Sequence, residues 1–155
     1  MSLQTTSLSL EDESALAAFA QRLARAASEP LAIALEGPLG AGKTSFARAL
    51  LGALGHSGPV RSPTYTLVEQ YRLSDGIVWH LDLYRLGSAE EVDWLGLDDF
   101  DPNSDWLLVE WPQRGAEHLP SLDLTMRLDY ADPGRSMQMA AQSERGLVLL
   151  REIED

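Results

Sequence analysis

The chain has 155 residues, 45% of them hydrophobic, enough for the core of one domain and short for two ordinary ones. Its 12 basic residues against 24 acidic ones give a formal net charge of −12, so the surface as a whole repels the phosphates of DNA or tRNA, which are gripped mainly by Lys and Arg. The absence of cysteine excludes disulfides and thiolate metal sites and fits a reducing cytoplasm.

Met1-Ser2-Leu3 leads into Glu11-Asp12-Glu13 with no basic start and apolar stretch, so no secretory signal is expected. No apolar run is long enough to span a bilayer. Thr5 to Leu10 alternates weakly and predicts a short strand. Glu11 to Ser14 then opens a helix, with Leu16, Phe19, Ala20, Leu23 and Ala27 at helical spacing and acids at its N-terminus, ending before Pro30. Leu31 to Leu35 is a continuous apolar run of the kind buried on both faces of a sheet. A second helix is expected over Thr44 to Leu54, with Gly55 as its cap.

From Tyr65 to Arg72 the period changes to alternation. Ser74-Asp75-Gly76 supplies a turn and Ile77 to Leu83 a returning strand, which together predict an antiparallel hairpin. Ser88-Ala89-Glu90-Glu91 resembles a capped helix start running to Leu95. Trp106 to Glu110 reads as another buried strand. Leu122 to Tyr130 and Met137 to Ala141 read as strands about an Asp132-Pro133-Gly134 turn, and Leu147 to Ile153 as a last strand. The expected architecture is one α/β domain over residues 1–155, with a mixed parallel and antiparallel sheet flanked by helices.

The sharpest signal is Gly37-Pro38-Leu39-Gly40-Ala41-Gly42-Lys43-Thr44, a complete phosphate-binding loop between a strand and a helix. Its glycines let backbone N–H groups turn inward, and the helix N-terminus adds partial positive charge. Lys43 is expected on the β- and γ-phosphates of ATP, with the Thr44 hydroxyl on Mg²⁺ and Ser45 following in the same turn. Lys43 is also the only lysine in the chain, the other 11 basic residues being arginine. A loop that wants a compact point charge holds the one residue that supplies it. Mg²⁺ further calls for a carboxylate at a strand end, and Asp82 and Glu110 are both candidates.

Together with that loop, three further blocks resemble the TsaE (YjeE) family: Val60 to Leu67, with Ser62-Pro63-Thr64; His80 to Leu86; and Val109-Glu110-Trp111-Pro112. These are bacterial ATPases required for threonylcarbamoyladenosine in tRNA. The resemblance implies Glu110 as the second Mg²⁺ ligand, Asp82 as a carboxylate near the γ-phosphate that orients or activates water, and Thr64 in a switch-like loop facing the nucleotide. It places Trp111 and Arg135 beside the nucleotide and Glu13 near the adenine. Ordinary readings compete: Trp111 as a core aromatic and Arg135 as a solvated turn residue. His80, on an apolar strand without a metal cluster, reads as packed rather than catalytic. Asp98-Asp99-Phe100-Asp101 lacks the spacing of a Ca²⁺ loop and reads as a solvated loop. Glu90 to Trp94 fits a partner-facing surface or a plain helix.

The family resemblance further implies ATP turnover in the service of partner proteins of the TsaD and TsaB type, which carry the tRNA, in the cytoplasm, with no direct DNA binding and no membrane. A P-loop small-molecule kinase is the alternative, though the residues after Pro112 read as strands and turns rather than as an arginine-bearing lid. A guanine-specific switch is disfavoured, because its recognition element needs a lysine and the only one is already in the loop.

Overall fold

The computed structural model describes residues 5–154, so the reading of Met1-Ser2-Leu3 lies outside the described residues. Strand β1 (Thr5–Leu10) leads to helix α1 (Glu13–Ala26), whose N-cap Asp12 accepts from the Ala15 N–H at 2.8 Å. Strand β2 (Ala32–Glu36) runs into the phosphate-type loop and helix α2 (Lys43–Ala53). The hairpin β3 (Val68–Arg72) and β4 (Ile77–Asp82) follows, then β5 (Trp106–Glu110), β6 (Leu124–Tyr130), β7 (Arg135–Ala141) and α3 (Glu144–Glu154).

The strands form one seven-stranded sheet in the order β1-β7-β6-β2-β5-β4-β3. Its centre, β6-β2-β5-β4, is parallel, and the pairs toward both edges are antiparallel. The mixed α/β architecture expected from the sequence is therefore present. Because the chain leaves β2 through α2, builds the hairpin and returns to insert β5 between β2 and β4, the carboxyl ends of three parallel strands converge beside the loop. Ligands of open α/β sheets bind in such a crevice.

The helices gather on one sheet face. Phe19 of α1 and Phe46 of α2 lie 6.2 Å apart between ring centroids and pack with Leu23, Leu50, Ile33 and Leu108. Truncating such a buried aromatic costs about 3–5 kcal/mol. Leu83, Leu86, Val92 and Phe100, from irregular segments and short 3₁₀ turns, cover Trp79, Leu81, Leu107 and Val109 on the opposite face. At the amino end of β4 and β5, the buried Asp105 carboxylate accepts from the Ile77 N–H at 3.0 Å, the Asp101 N–H at 3.0 Å and Trp79 Nε1 at 3.1 Å. It ties the β3–β4 hairpin to β5.

Two expectations are corrected. Residues 147–153 lie in helix α3, not a strand: Gly146, Leu149, Leu150 and Ile153 are buried at helical spacing, and Arg151 and Glu152 break any alternation. Strand β3 begins at Val68 rather than Tyr65, because residues 63–67 close a turn in which the Leu67 N–H reaches the Pro63 carbonyl at 2.7 Å and Leu67 takes a left-handed φ of 67°. The segment from Ser88 to Leu95 does begin with Glu91 reaching back, its carboxylate accepting from the Gly87 N–H at 2.7 Å, but it winds as a 3₁₀ helix.

Candidate functional site

Sheet register supplies the first half of the site. Asp82 and Glu110 are paired positions at the ends of parallel strands β4 and β5. Side chains alternate along a strand, so His80 shares the face of Asp82, and all three point toward α2. His80 Nε2 lies 2.7 Å from Glu110 Oε2, with His80 wholly buried and Glu110 nearly so. His80 is thus packed, as its apolar strand suggested, and it also holds the carboxylate. His80 Nε2 is the ring nitrogen that faces the carboxylate, and the buried Nδ1 has no partner among the described residues.

The loop supplies the second half. The Thr44 hydroxyl is 3.0 Å from each Glu110 carboxylate oxygen. Lys43, the first residue of α2, is buried, donates from Nζ to the Gly37 carbonyl at 2.5 Å, and stands 3.6 Å over the centroid of the Trp111 ring. Trp111 in turn packs at 5.0 Å on Tyr84 and adopts a left-handed φ of 59°. Tight backbone approach explains the glycines. A Cβ on Gly37 would fall 2.0 Å from the Leu128 carbonyl oxygen, and one on Gly42 would fall 2.0 Å from Arg135 Nη1. At Gly37 the β6 backbone leaves no room for a side chain, and at Gly42 the left-handed φ of 109° itself favours glycine beside the arginine.

Burial and charge act on the ionisable groups here. Desolvation holds the Lys43 ammonium below its ordinary pKa, against the opposing pull of Glu110 and Asp82. Desolvation likewise raises the Asp82 carboxyl, helped by the neighbouring Glu110 charge and opposed chiefly by the Tyr84 N–H, which donates to it at 3.1 Å. A cation and two carboxylates are therefore held in a partly dry cleft.

These side chains open on a cavity of about 490 Å³. Of the residues expected from the sequence, Leu39, Gly40, Gly42, Lys43, Thr44 and Ser45 line it from the loop. Asp82, Glu110 and Trp111 line it from the strand ends, and Thr64, Glu13 and Arg135 from the rim. Arg135 bonds Glu13 at 2.8 Å, and its other terminal nitrogen, against Gly42, is buried without a partner among the described residues. Gly37 and Ala41 lie outside this lining. Ala41 is buried, with its N–H on the Pro38 carbonyl at 3.2 Å. Tyr84 and Arg85 also line the cavity, although only their place in the block after Asp82 drew attention to them in the sequence. Among the described residues no cluster of three or more His, Cys, Asp or Glu side chains forms a free-standing metal site. No helix there is long and apolar enough to cross a membrane.

Sheet order, the loop between β2 and α2 and the strand-end carboxylate beside it define the fold of the P-loop nucleotide-binding proteins. The chain belongs to the family described as threonylcarbamoyl adenosine biosynthesis protein TsaE, whose model matches residues 10–138. It is 42% identical over 112 residues to the tRNA threonylcarbamoyladenosine biosynthesis protein TsaE of Haemophilus influenzae, covering 72% of this chain and 71% of that one. The protein of the same name from Bacillus subtilis is 36% identical over 124 residues, covering 78% and 76%. The crystal structure of Bacillus subtilis YdiB superimposes with a TM-score of 0.81 at 28% identity, covering 99% of this chain and 97% of that one. The family takes part in the biosynthesis of threonylcarbamoyladenosine in tRNA.

Proposed function

We propose that this chain is a single P-loop domain that hydrolyses ATP with Mg²⁺, in service of a TsaB/TsaD-type complex that modifies tRNA in the cytoplasm. The observation that carries this reading is the Thr44 hydroxyl set 3.0 Å from both oxygens of the buried Glu110 carboxylate, at the start of the helix that follows the glycine loop. A hydroxyl and a carboxylate from two different elements, both oxygen donors, match the ligand chemistry of Mg²⁺.

Other features of the cleft fit a triphosphate. Gly42 has no side chain where one would fill the space under Arg135, and Arg135 Nη1 is a buried donor in want of an acceptor. Lys43 and the first turn of α2 bring positive charge to the same place. Thr44 and Glu110 would hold the metal, which when bound neutralises charge on the phosphate oxygens. Lys43 would hold the β- and γ-phosphates, exchanging the Gly37 carbonyl for them. Asp82, its pKa raised, would accept a hydrogen bond from the attacking water and orient it. Trp111, packed against Tyr84, would wall the cleft against bulk water.

The acidic surface supports a division of labour in which partner proteins carry the tRNA and this chain supplies ATP turnover. Between β5 and β6 the described chain has only 3₁₀ turns, at Pro112–Arg114 and Ala116–His118, which gives a kinase lid no helix to use. The decisive experiment is a reconstituted tRNA modification assay with the partner proteins, with and without this chain and ATP. Repeated modification cycles only when both are present are expected. Tight, steeply salt-dependent tRNA binding by the isolated chain, or transfer of phosphate to a small alcohol, would overturn the reading.

A further inference from the structure

Arg85 stands three residues beyond Asp82 on a turn fixed at both ends. Leu83 is buried and its N–H donates to the Glu110 carbonyl at 3.0 Å, while Leu86, also buried, closes the turn on the Leu83 carbonyl at 3.2 Å. The root of Arg85 is therefore tied to the strand that carries Glu110, and its side chain is exposed. Arg85 is among the residues that line the cavity with Lys43, Thr44, Asp82 and Glu110.

In a chain with twice as many acids as bases, Arg85 has neither a hydrogen bond nor an ion pair among the described residues. Its guanidinium carbon instead lies 4.7 Å from the centroid of the Tyr65 ring, a cation–π contact. The other arginine of the cavity, Arg135, bonds Glu13 through one terminal nitrogen and lies against Gly42 with the other, which is buried. Tyr65 belongs to the turn after Thr64, which itself borders the cavity, and the residue is 81% exposed. A large aromatic so exposed is a surface that a partner can reach.

We propose that Arg85 is the transition-state arginine of this ATPase, supplied in cis and held in reserve on Tyr65 until a partner protein engages that ring. The proposal rests on the ATPase reading above and adds its regulation. In hydrolysis, water oxygen bonds to the terminal phosphorus as the bond to the bridging oxygen breaks. The electron pair leaves with the diphosphate, and the proton released by water is carried by the orthophosphate. Arg85 exchanges no proton; its planar fork donates hydrogen bonds to the oxygens on which charge accumulates, and such an arginine is worth about 10³–10⁵ in rate.

The test uses the full chain with the TsaB/TsaD-type complex and compares wild type with Arg85→Ala, Arg85→Lys, Tyr65→Ala and the double variant. Arg85→Ala is expected to lower partner-stimulated turnover by at least about 100-fold, with ADP affinity within about threefold of wild type and binding of ADP–aluminium fluoride lost in parallel with turnover. Arg85→Lys is expected not to restore the rate. Tyr65→Ala is expected to raise turnover of the isolated chain about two- to fivefold, the most that an exposed cation–π contact holds back, and Arg85→Ala in the same chain to remove that gain. Wild-type turnover reports on the ATPase reading itself, and the affinity for the fluoride complex reports on Arg85 even where turnover is slow. Wild-type affinity for that complex in Arg85→Ala, or an equal loss of ADP binding, would overturn the assignment. A Tyr65→Ala chain no faster than wild type would overturn the reserve contact.

Discussion

His80 Nε2 and Glu110 Oε2 are 2.7 Å apart across two parallel strands, with His80 fully buried. The contact restrains the carboxylate that also meets Thr44, in the way that outer partners orient metal ligands. His80→Phe keeps a ring in the core and removes the imidazole contact to Glu110. It is expected to raise the Mg²⁺ concentration needed for half-maximal nucleotide binding by about tenfold or more, with His80→Gln closer to wild type. A Mg²⁺ titration with a fluorescent nucleotide reads this directly. A lower melting temperature with unchanged Mg²⁺ dependence would leave His80 as packing alone.

Lys43→Ala and Glu110→Ala are each expected to reduce ATP turnover below about 1% of wild type, the order of loss when one preorganised charge-stabilising group is deleted. Thr44→Ala is expected to show its loss chiefly as a higher Mg²⁺ requirement. Steady-state phosphate release at several Mg²⁺ concentrations separates the two. Full activity in Glu110→Ala would transfer the metal role to Asp82, its register partner.

Asp105 sets a pH-dependent part of stability. Burial pushes its carboxyl up, but hydrogen bonds from the Asp101 and Ile77 N–H groups, Trp79 and Ser104 together outweigh this and leave the pKa lowered. A depressed carboxyl stabilises the fold above its unfolded pKa of about 3.9, and that contribution is lost as pH falls through the folded value. Asp105→Asn sets an amide against several donors and is expected to cost about 1–3 kcal/mol near neutral pH. The gap to wild type should close below about pH 4 in chemical denaturation curves. A constant gap across that range would mean that charge is not involved.

Gly52 lies within α2, exposed, and a methyl group on its Cα would meet nothing within 4 Å. Gly52→Ala is expected to stabilise the protein by about 0.5–1 kcal/mol by restricting the unfolded chain. Thermal unfolding should show a rise of about 2–4 °C per kcal/mol for a domain of this size. A fall would indicate that the helix end needs glycine for reasons beyond propensity.

What the sequence determined by itself was local. The glycine loop, its lone lysine and the helix after it are contiguous, so spacing alone exposes their chemistry, and the apolar runs of β2 and β5 mark strands buried on both faces. The same locality misled at residues 147–153, where leucines suit a strand as well as a helix. Packing of Leu149, Leu150 and Ile153 in the core decided for the helix. Tertiary structure alone could join Thr44 to Glu110 and Glu110 to His80, since 66 and 30 residues separate these pairs and only the insertion of β5 between β2 and β4 brings them together. It also decided what the isolated residue names left open: Trp111 became the ring under Lys43, Arg135 the guanidinium over Gly42, and Arg85 a cation resting on Tyr65. Periodicity reports which face of an element is buried. Strand order and register decide which side chains meet, and no local pattern encodes that meeting.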